Sequence, residues 1–136
     1  MIHKILPFRY VKTPEEFLTL NLTRYERSII SQFRYGILPL EIEVGRYRDI
    51  PLSDRLCHIC SSAVEDEIHF LCDCPAYSHV REIIFAQARD IEPTFQIMDN
   101  IDKFVFLMSN LQKPVAYYLI EALAIRTSLL TITKMS

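Results

Sequence analysis

Four residues between positions 57 and 74 have the types and the spacing of zinc ligands: Cys57, Cys60, His69 and Cys74. Zinc takes thiolate and imidazole in tetrahedral sites, and C-x-x-C is the usual first half because one tight turn points both sulfurs inward. Residues 61–67 are mostly serine and acidic, so we expect them to be too polar to form a packed core. The sequence therefore predicts one structural Zn²⁺ that orders residues 57–74, called here the zinc knuckle. Reduced cysteines without metal and a disulfide pair are the alternatives.

The fourth ligand could come from Cys72 or from Cys74. Cys72 lies three residues after His69 and would share its face on a helix, whereas Cys74 is the better reach in an extended turn. Pro75 suits the first turn of a new helix, which places Cys74 at a helix start, where the backbone dipole favours a thiolate. We therefore predict Cys74 as the ligand, Cys72 as a buried apolar residue, and His58 as a solvent-facing residue inside the C-x-x-C turn.

The residues around this motif resemble the cysteine- and histidine-containing region near the C-terminal end of non-LTR retrotransposon reverse transcriptases. Besides the four candidate ligands, the shared features are Gly45 to Tyr47, Ile50 and Pro51, Arg55, Glu65 to Glu67, His69 to Leu71, Pro75, Tyr77 and Arg81. The match covers about residues 25–85, with a weaker echo in the final helix at EALAIR. The resemblance implies a zinc-binding domain downstream of a polymerase that helps to grip RNA or DNA. It implies no catalysis, because the chain contains no Asp-Asp pair of the kind a polymerase uses.

Composition and charge set broader limits. Half of the 136 residues are hydrophobic and only two are glycine, which favours one helix-rich domain over disorder. Residues 1–55 carry nine basic and seven acidic side chains, a balance of +2, whereas residues 56–136 carry six and ten, a balance of −4. Nucleic-acid-binding domains are usually strongly basic, so any such binding should be weak, local and salt-sensitive.

The pattern along the chain predicts a mainly α fold, a small helical bundle built around the zinc knuckle. We expect one N-terminal helix over residues 13–35, an irregular basic linker over 36–56, the knuckle over 57–74 and helices over 75–136. Thr13 with Glu16 forms a capping box, and Gly36 ends the first helix. The alternation of Leu40, Ile42 and Val44 with glutamates suggests a short β segment near residues 40–44, and another is possible at the knuckle.

The C-terminal helices are marked by their start signals. Pro75 should begin a helix that reaches Asp90, and a second helix should begin at Asp99 or Asn100. Pro114 should begin the last helix, which we expect over Val115 to Thr133. This last helix is apolar on nearly every side, so it is either the core of the bundle or partly covered by another chain or a polymerase domain.

Basic side chains cluster before and beside the knuckle, and they are the candidates for nucleic-acid contact: Arg24, Arg27, Arg46, Tyr47, Arg48 and Arg55. Arginines grip phosphates and an aromatic ring stacks on an unpaired base, which points to RNA or single-stranded DNA. The alternatives are a solvated basic face, Tyr47 packed on the knuckle, and an arginine paired with the acidic run 65–67.

Two functions follow from these patterns. The first is a zinc-binding nucleic-acid module without polymerase activity of its own, and the second is a structural zinc domain that docks onto protein through its last helix. We expect no enzyme, because four protein ligands leave no open position on the metal. Residues 1–10 lack the apolar segment of a signal peptide, and the apolar run 115–125 is shorter than the ~20 residues that span a bilayer. We therefore expect an intracellular protein, nuclear or cytoplasmic, without membrane contact.

Overall fold

The computed structural model describes residues 22–135, and this part of the chain is mainly α-helical, as predicted. The α-helices are α1 (Arg24–Arg34), α2 (Glu41–Tyr47), α3 (Ser78–Ile91), α4 (Asn100–Asn110) and α5 (Gln112–Met135). Short 3-10 turns cover Leu52–Asp54, Pro75–Tyr77 and Pro93–Ile97, and a π-helical turn covers His69–Asp73. Residues 22–135 contain no β-strand, only an isolated antiparallel bridge between Leu56 and Val64 in the knuckle region.

Helix α1 starts later than the sequence suggested. Thr23 is its N-cap and forms a capping box with Glu26, in which each side chain accepts a hydrogen bond from the other residue's backbone N–H. Leu22 and Thr23 are not helical, so a single helix over 13–35 is wrong at this point, while the predicted start at Thr13 lies outside the described residues. The end agrees with the prediction, because Gly36 follows the helix with φ of 70°, a left-handed conformation that suits glycine.

The predicted β segment at residues 40–44 is instead the start of α2, within the region expected to be irregular. Alternation failed as a guide here because Glu41 and Glu43 are buried together with Ile42. The N-cap of α2, Leu40, has no side-chain oxygen, and the N–H of Glu41 in the first turn donates instead to the carboxylate of Glu65 at 2.8 Å. A cap supplied from 24 residues away leaves no local sequence signal.

The C-terminal helices begin near the residues that the sequence marked. Pro75 opens a 3-10 turn that leads into α3, and Asp99 caps α4 by accepting a hydrogen bond from the N–H of Asp102. Helix α5 starts two residues before Pro114. One face of this region is buried, and it consists of Tyr77 in the 3-10 turn and Val80, Ile84 and Ala88 in α3.

The N-terminal half of α5 lies at the centre of the bundle. Helices α1, α3 and α4 pack against α5, whose buried residues are Gln112, Val115, Ala116, Tyr118, Leu119, Ala122 and Arg126. The π-helical turn packs on α4, and Phe70 in that turn contacts the ring of Tyr118 at a centroid distance of 6.2 Å. The knuckle is therefore attached to the helical core.

The C-terminal half of α5 is less covered. Ile132 is 63% exposed, and Leu129 and Leu130 are only half-buried. Over Gln112–Ile132 the helix is long and apolar enough to cross a membrane by length and composition, at a mean hydropathy of 1.4, so the apolar stretch is longer than the run 115–125 suggested. Core helices meet the same criteria, and here one third of the most apolar window is buried within the fold.

Candidate metal centre

The first half of the centre is a hairpin-like turn that carries Cys57 and Cys60. The Leu56–Val64 bridge closes this turn, with the N–H of Cys57 donating to the carbonyl of Ala63 at 2.9 Å. Inside it, the N–H of Ser61 donates to the carbonyl of Cys57 at 2.9 Å, and Ser61 has a φ of 58°. This backbone path brings both sulfurs to the same side, as the C-x-x-C spacing predicts.

The second half is the π-helical turn His69–Asp73, which the sequence did not predict. The N–H of Cys74 donates to the carbonyl of His69, five residues earlier, at 2.9 Å. A π-helical turn has one more residue than an α-helical turn, and such turns occur frequently at functional sites. The turn places Cys74 beside His69 in the converging group, although this segment is helical rather than extended.

The four side chains converge on one point. The ligand atoms of Cys57, Cys60, His69 and Cys74 all lie within 4.8 Å of one another. The sulfurs of Cys57 and Cys74 are 3.9 Å apart, and the sulfur of Cys60 is 3.3 Å from Nε2 of His69. Tetrahedral zinc with Zn–S bonds of about 2.3 Å separates two sulfurs by roughly 3.8 Å, so the donor set and the spacing both fit a metal ion.

Protons compete with a metal ion for these four side chains. Burial lowers the pKa of His69, but hydrogen bonding and charge from Cys57 and Cys60 outweigh it and raise this pKa to about 9. Burial raises the pKa of Cys60, whereas hydrogen bonds from Ser62 and the charge of His69 bring it down to about 6. Burial raises the pKa of Cys74 to about 12. Protons therefore occupy part of this cluster near neutral pH unless a metal ion displaces them.

The two residues predicted to lie outside the metal set do so. Cys72 is in the hydrophobic core, where burial raises the pKa of its thiol to about 12, and it is not part of the ligand group. The His58 side chain is 62% exposed, and its Nε2 lies 3.0 Å from a carboxylate oxygen of Glu41. Cys72 therefore packs as a small apolar residue, as expected.

The acidic run 65–67 is buried, which corrects the expectation that it is too polar to pack. Glu65 is 1% exposed, and its two carboxylate oxygens accept hydrogen bonds from Arg126 at 2.8 and 2.7 Å. Asp66 accepts a hydrogen bond from the N–H of His69 at 2.7 Å and so caps the turn that carries this ligand. The paired arginine comes from α5 rather than from the basic linker.

Arg126 is the residue that sequence reasoning missed. Together with Glu121 it interrupts a long apolar helix, and a charge that is buried in such a helix needs a partner, which was the available signal. Burial lowers the pKa of its guanidinium, but hydrogen bonding and charge from Glu65 outweigh this and raise the pKa above its usual value. The Arg126–Glu65 ion pair thus ties the knuckle to the centre of the bundle.

Arg81 makes a second tie between the knuckle and the helices. It is buried, and it donates to the carbonyl of Leu71 at 2.9 Å and to the hydroxyl of Tyr118 at 3.0 Å. The hydroxyl of Tyr118 in turn donates to the carbonyl of Phe70 at 2.5 Å. These donors satisfy backbone carbonyls of the π-helical turn, which fixes the segment between His69 and Cys74.

Arg55 is structural in this fold, which corrects its prediction as a phosphate contact. Its guanidinium group donates to the carbonyls of Ile50 and Ile42 at 2.9 and 3.1 Å, and the residue is 8% exposed. It runs across Gly45, where an added Cβ would stand 2.5 Å from the Cγ of Arg55. The close approach explains both the glycine and the arginine of the sequence motif.

The remaining candidates for nucleic-acid contact differ in exposure. Arg24, Arg46, Tyr47 and Arg48 are exposed, whereas Arg27 is half-buried and donates to the carbonyl of Leu22 at 2.7 Å. Tyr47 is 78% exposed, so it does not pack on the knuckle, and the guanidinium of Arg46 lies 5.3 Å from its ring centroid. Three adjacent exposed residues at the end of α2 thus form a basic aromatic surface, residues 46–48.

No protein-family model matches this chain, and no curated protein or solved structure matches it either.

Proposed function

We propose that Cys57, Cys60, His69 and Cys74 bind one Zn²⁺ and that the chain is a zinc-stabilised binding module. The observation that carries this proposal is the convergence of the four ligand atoms within 4.8 Å. Three sulfurs and one imidazole nitrogen form a donor set typical of structural zinc. With four protein ligands, the ion has no free position for water or substrate, so its role is to hold the knuckle rather than to catalyse a reaction.

Native mass spectrometry and elemental analysis of the intact protein test the metal. We expect one zinc per chain, and we expect Cys57→Ser, His69→Ala and Cys74→Ser each to lose it. Cys72→Ala is the matched control, because it removes a buried thiol outside the cluster and should leave the zinc bound. Equal loss of zinc from Cys72→Ala, or a wild-type protein that copurifies without metal and binds none when titrated, would contradict the proposal.

The ligand we propose for the module is RNA or single-stranded DNA, bound at the surface of residues 46–48. An exposed tyrosine stacks on an unpaired base, and neighbouring arginines contact phosphate. Arg46 is held in place by Glu43 at 2.7 Å, while Arg48 is exposed beside it. The net charge of −2 favours weak and salt-sensitive binding. Arg24 lies exposed on α1 and remains a candidate for a further phosphate contact.

The sequence resemblance supports the same proposal. Read together with the proposed zinc site, it makes the chain a counterpart of the C-terminal tail of a retrotransposon reverse transcriptase, without polymerase activity of its own. Several residues that carry the resemblance have structural contacts. Glu65 and Arg55 bond to α2, Gly45 leaves room for the Arg55 side chain, and Arg81 connects the π-helical turn to Tyr118. If this chain and the C-terminal region of those reverse transcriptases share a fold, these residues are needed for the fold itself and not for contact with a nucleic acid.

Fluorescence anisotropy with single-stranded RNA, single-stranded DNA and a duplex, repeated over a range of salt, tests nucleic-acid binding. We expect Tyr47→Ala to weaken binding to the single strands, and Arg48→Ala to weaken it and to reduce the salt dependence by about one unit of slope. Arg89→Ala on α3 is the control, because this arginine lies outside the proposed surface and pairs with Glu82. Absence of binding at low salt would exclude this function.

The exposed apolar surface of α5 supports a second candidate, a structural zinc domain that docks onto protein. Tyr117 is 55% exposed and lines an apolar cavity of about 230 Å³ with Val80 and Ile83. Tyr117→Ser and Ile132→Ser should then weaken binding to a purified polymerase domain or another defined protein chain while the zinc stays bound. A docking role fails if neither variant changes the affinity for a partner that the wild-type protein binds.

A further inference from the structure

His69 makes contacts through both of its ring nitrogens. Nε2 lies 3.3 Å from the sulfur of Cys60, inside the cluster, whereas Nδ1 lies 3.2 Å from a carboxylate oxygen of Asp73. The histidine is 4% exposed and the Asp73 side chain 52% exposed, so the carboxylate approaches the ring from the solvent side. An ionised carboxylate only accepts hydrogen bonds, so this contact requires a proton on Nδ1, and Nε2 is the nitrogen that a metal ion among the sulfurs would meet.

We propose that Asp73 is a positioning residue for the metal centre, which selects Nε2 as the ligand atom of His69. This inference rests on the proposed zinc site. A histidine ligand commonly donates its other N–H to a carboxylate, which fixes the ring orientation and makes the coordinating nitrogen more basic. Asp73 itself does not reach the cluster as a ligand, because the group of converging ligand atoms consists of the three cysteines and His69.

The backbone explains why Asp73 can do this. Asp73 follows His69 by four residues within the π-helical turn, so the two side chains lie on the same side of the turn. The turn is held at both ends, by Asp66 on the N–H of His69 and by the Cys74 N–H bond to the His69 carbonyl. With Nδ1 unprotonated, its lone pair would face the carboxylate, which disfavours the opposite tautomer.

Two variants separate hydrogen bonding from charge. Asp73→Asn removes the charge but keeps an oxygen acceptor, whereas Asp73→Leu removes both, and Asp90→Asn on α3 is a control that removes an exposed carboxylate elsewhere. Zinc affinity is measured by chelator competition, and the His69 tautomer is read from long-range ¹H–¹⁵N NMR of the zinc-loaded protein. We expect Asp73→Leu to lower the affinity about 10–100-fold, Asp73→Asn to lower it less, and Asp90→Asn to match the wild type.

The NMR signature distinguishes positioning from general stabilisation. In the wild type we expect Nδ1 to be protonated and Nε2 to be bound to metal, and in Asp73→Leu we expect this single tautomer to be lost. Wild-type coordination through Nδ1, or an Asp73→Leu variant with wild-type affinity, would overturn the inference. An unchanged tautomer with equal loss of affinity in both variants would overturn it too, by assigning the effect to charge. A wild-type protein that binds no zinc refutes the proposed function instead.

Discussion

Replacing Arg126 by methionine should destabilise the whole domain, because it leaves the carboxylate of Glu65 buried without its charge partner. The Glu65 side chain is 1% exposed and that of Arg126 is 10% exposed, so little solvent can compensate. The substitution removes two charge-assisted hydrogen bonds of 2.8 and 2.7 Å, and only the N–H of Glu41 still donates to Glu65. Breaking a buried pair in this way costs about 3–5 kcal/mol.

A second variant separates the lost attraction from the stranded charge. Glu65→Met combined with Arg126→Met removes both charges and leaves the N–H of Glu41 unpaired, which costs about 1–3 kcal/mol. The Glu41 carboxylate, 3.6 Å from Arg126, loses this partner equally in the single and the double variant. The double variant should therefore be more stable than Arg126→Met alone. Arg89→Met is the control, since the Arg89–Glu82 pair is largely exposed and such pairs contribute at most about 1 kcal/mol.

Urea unfolding at fixed zinc concentration, followed by circular dichroism, measures these differences. A loss of about 3–5 kcal/mol is a large part of the ~5–15 kcal/mol that stabilises a typical domain, so the midpoint should fall clearly. The reasoning is refuted if Arg126→Met unfolds within about 1 kcal/mol of the wild type, or if the double variant is less stable than the single one.

Three further predictions concern the metal site and the backbone around it. Because the pKa of His69 is about 9 and that of Cys74 about 12, both carry protons at pH 7 without metal. Zinc binding should therefore release two or more protons and strengthen as pH rises from 6 to 8. Calorimetry in buffers of different ionisation enthalpy measures the number of protons released, and a value near zero would contradict the prediction. Gly45→Ala should lower the free energy of unfolding in urea by about 1–3 kcal/mol despite alanine's higher helix propensity, because the new Cβ meets the Arg55 side chain, which is held by its hydrogen bonds. A gain in stability would show that Arg55 can move aside. Ser61→Gly should keep the zinc and stabilise the protein by up to about 1 kcal/mol, since φ of 58° strains serine but not glycine; a lower melting temperature would argue against this strain.

Local signals in the sequence predicted most of the helices. Pro75 and Asp99 mark the region where α3 and α4 begin, because a proline ring and a capping carboxylate act within one turn. Thr23 with Glu26 has the same capping-box pattern as Thr13 with Glu16. Because the predicted helix started from the earlier pair, the prediction missed that α1 begins after Thr23. The grouping of three cysteines with His69 was predictable because cysteine and histidine spacing limits which side chains one ion could reach.

The misplaced features depend on contacts between distant residues. Helix α2 looked like a strand because its N-terminal cap is the carboxylate of Glu65, 24 residues further on. The same carboxylate looked exposed because its partner, Arg126, is 61 residues away on another helix. Arg55 looked like a nucleic-acid contact because nothing local shows that Ile50 and Ile42 offer it backbone carbonyls.

The Glu65–Arg126 pair also constrains when this protein can fold during its synthesis. The two residues are 61 positions apart in the sequence, and closing such a loop costs roughly 3–4 kcal/mol of chain entropy before any contact compensates it. A ribosome that has completed the cysteine turn has not yet released the arginine that neutralises the neighbouring carboxylate. Residues 57–74 are synthesised well before α5, but the buried carboxylate of Glu65 is neutralised only after Arg126 has left the exit tunnel.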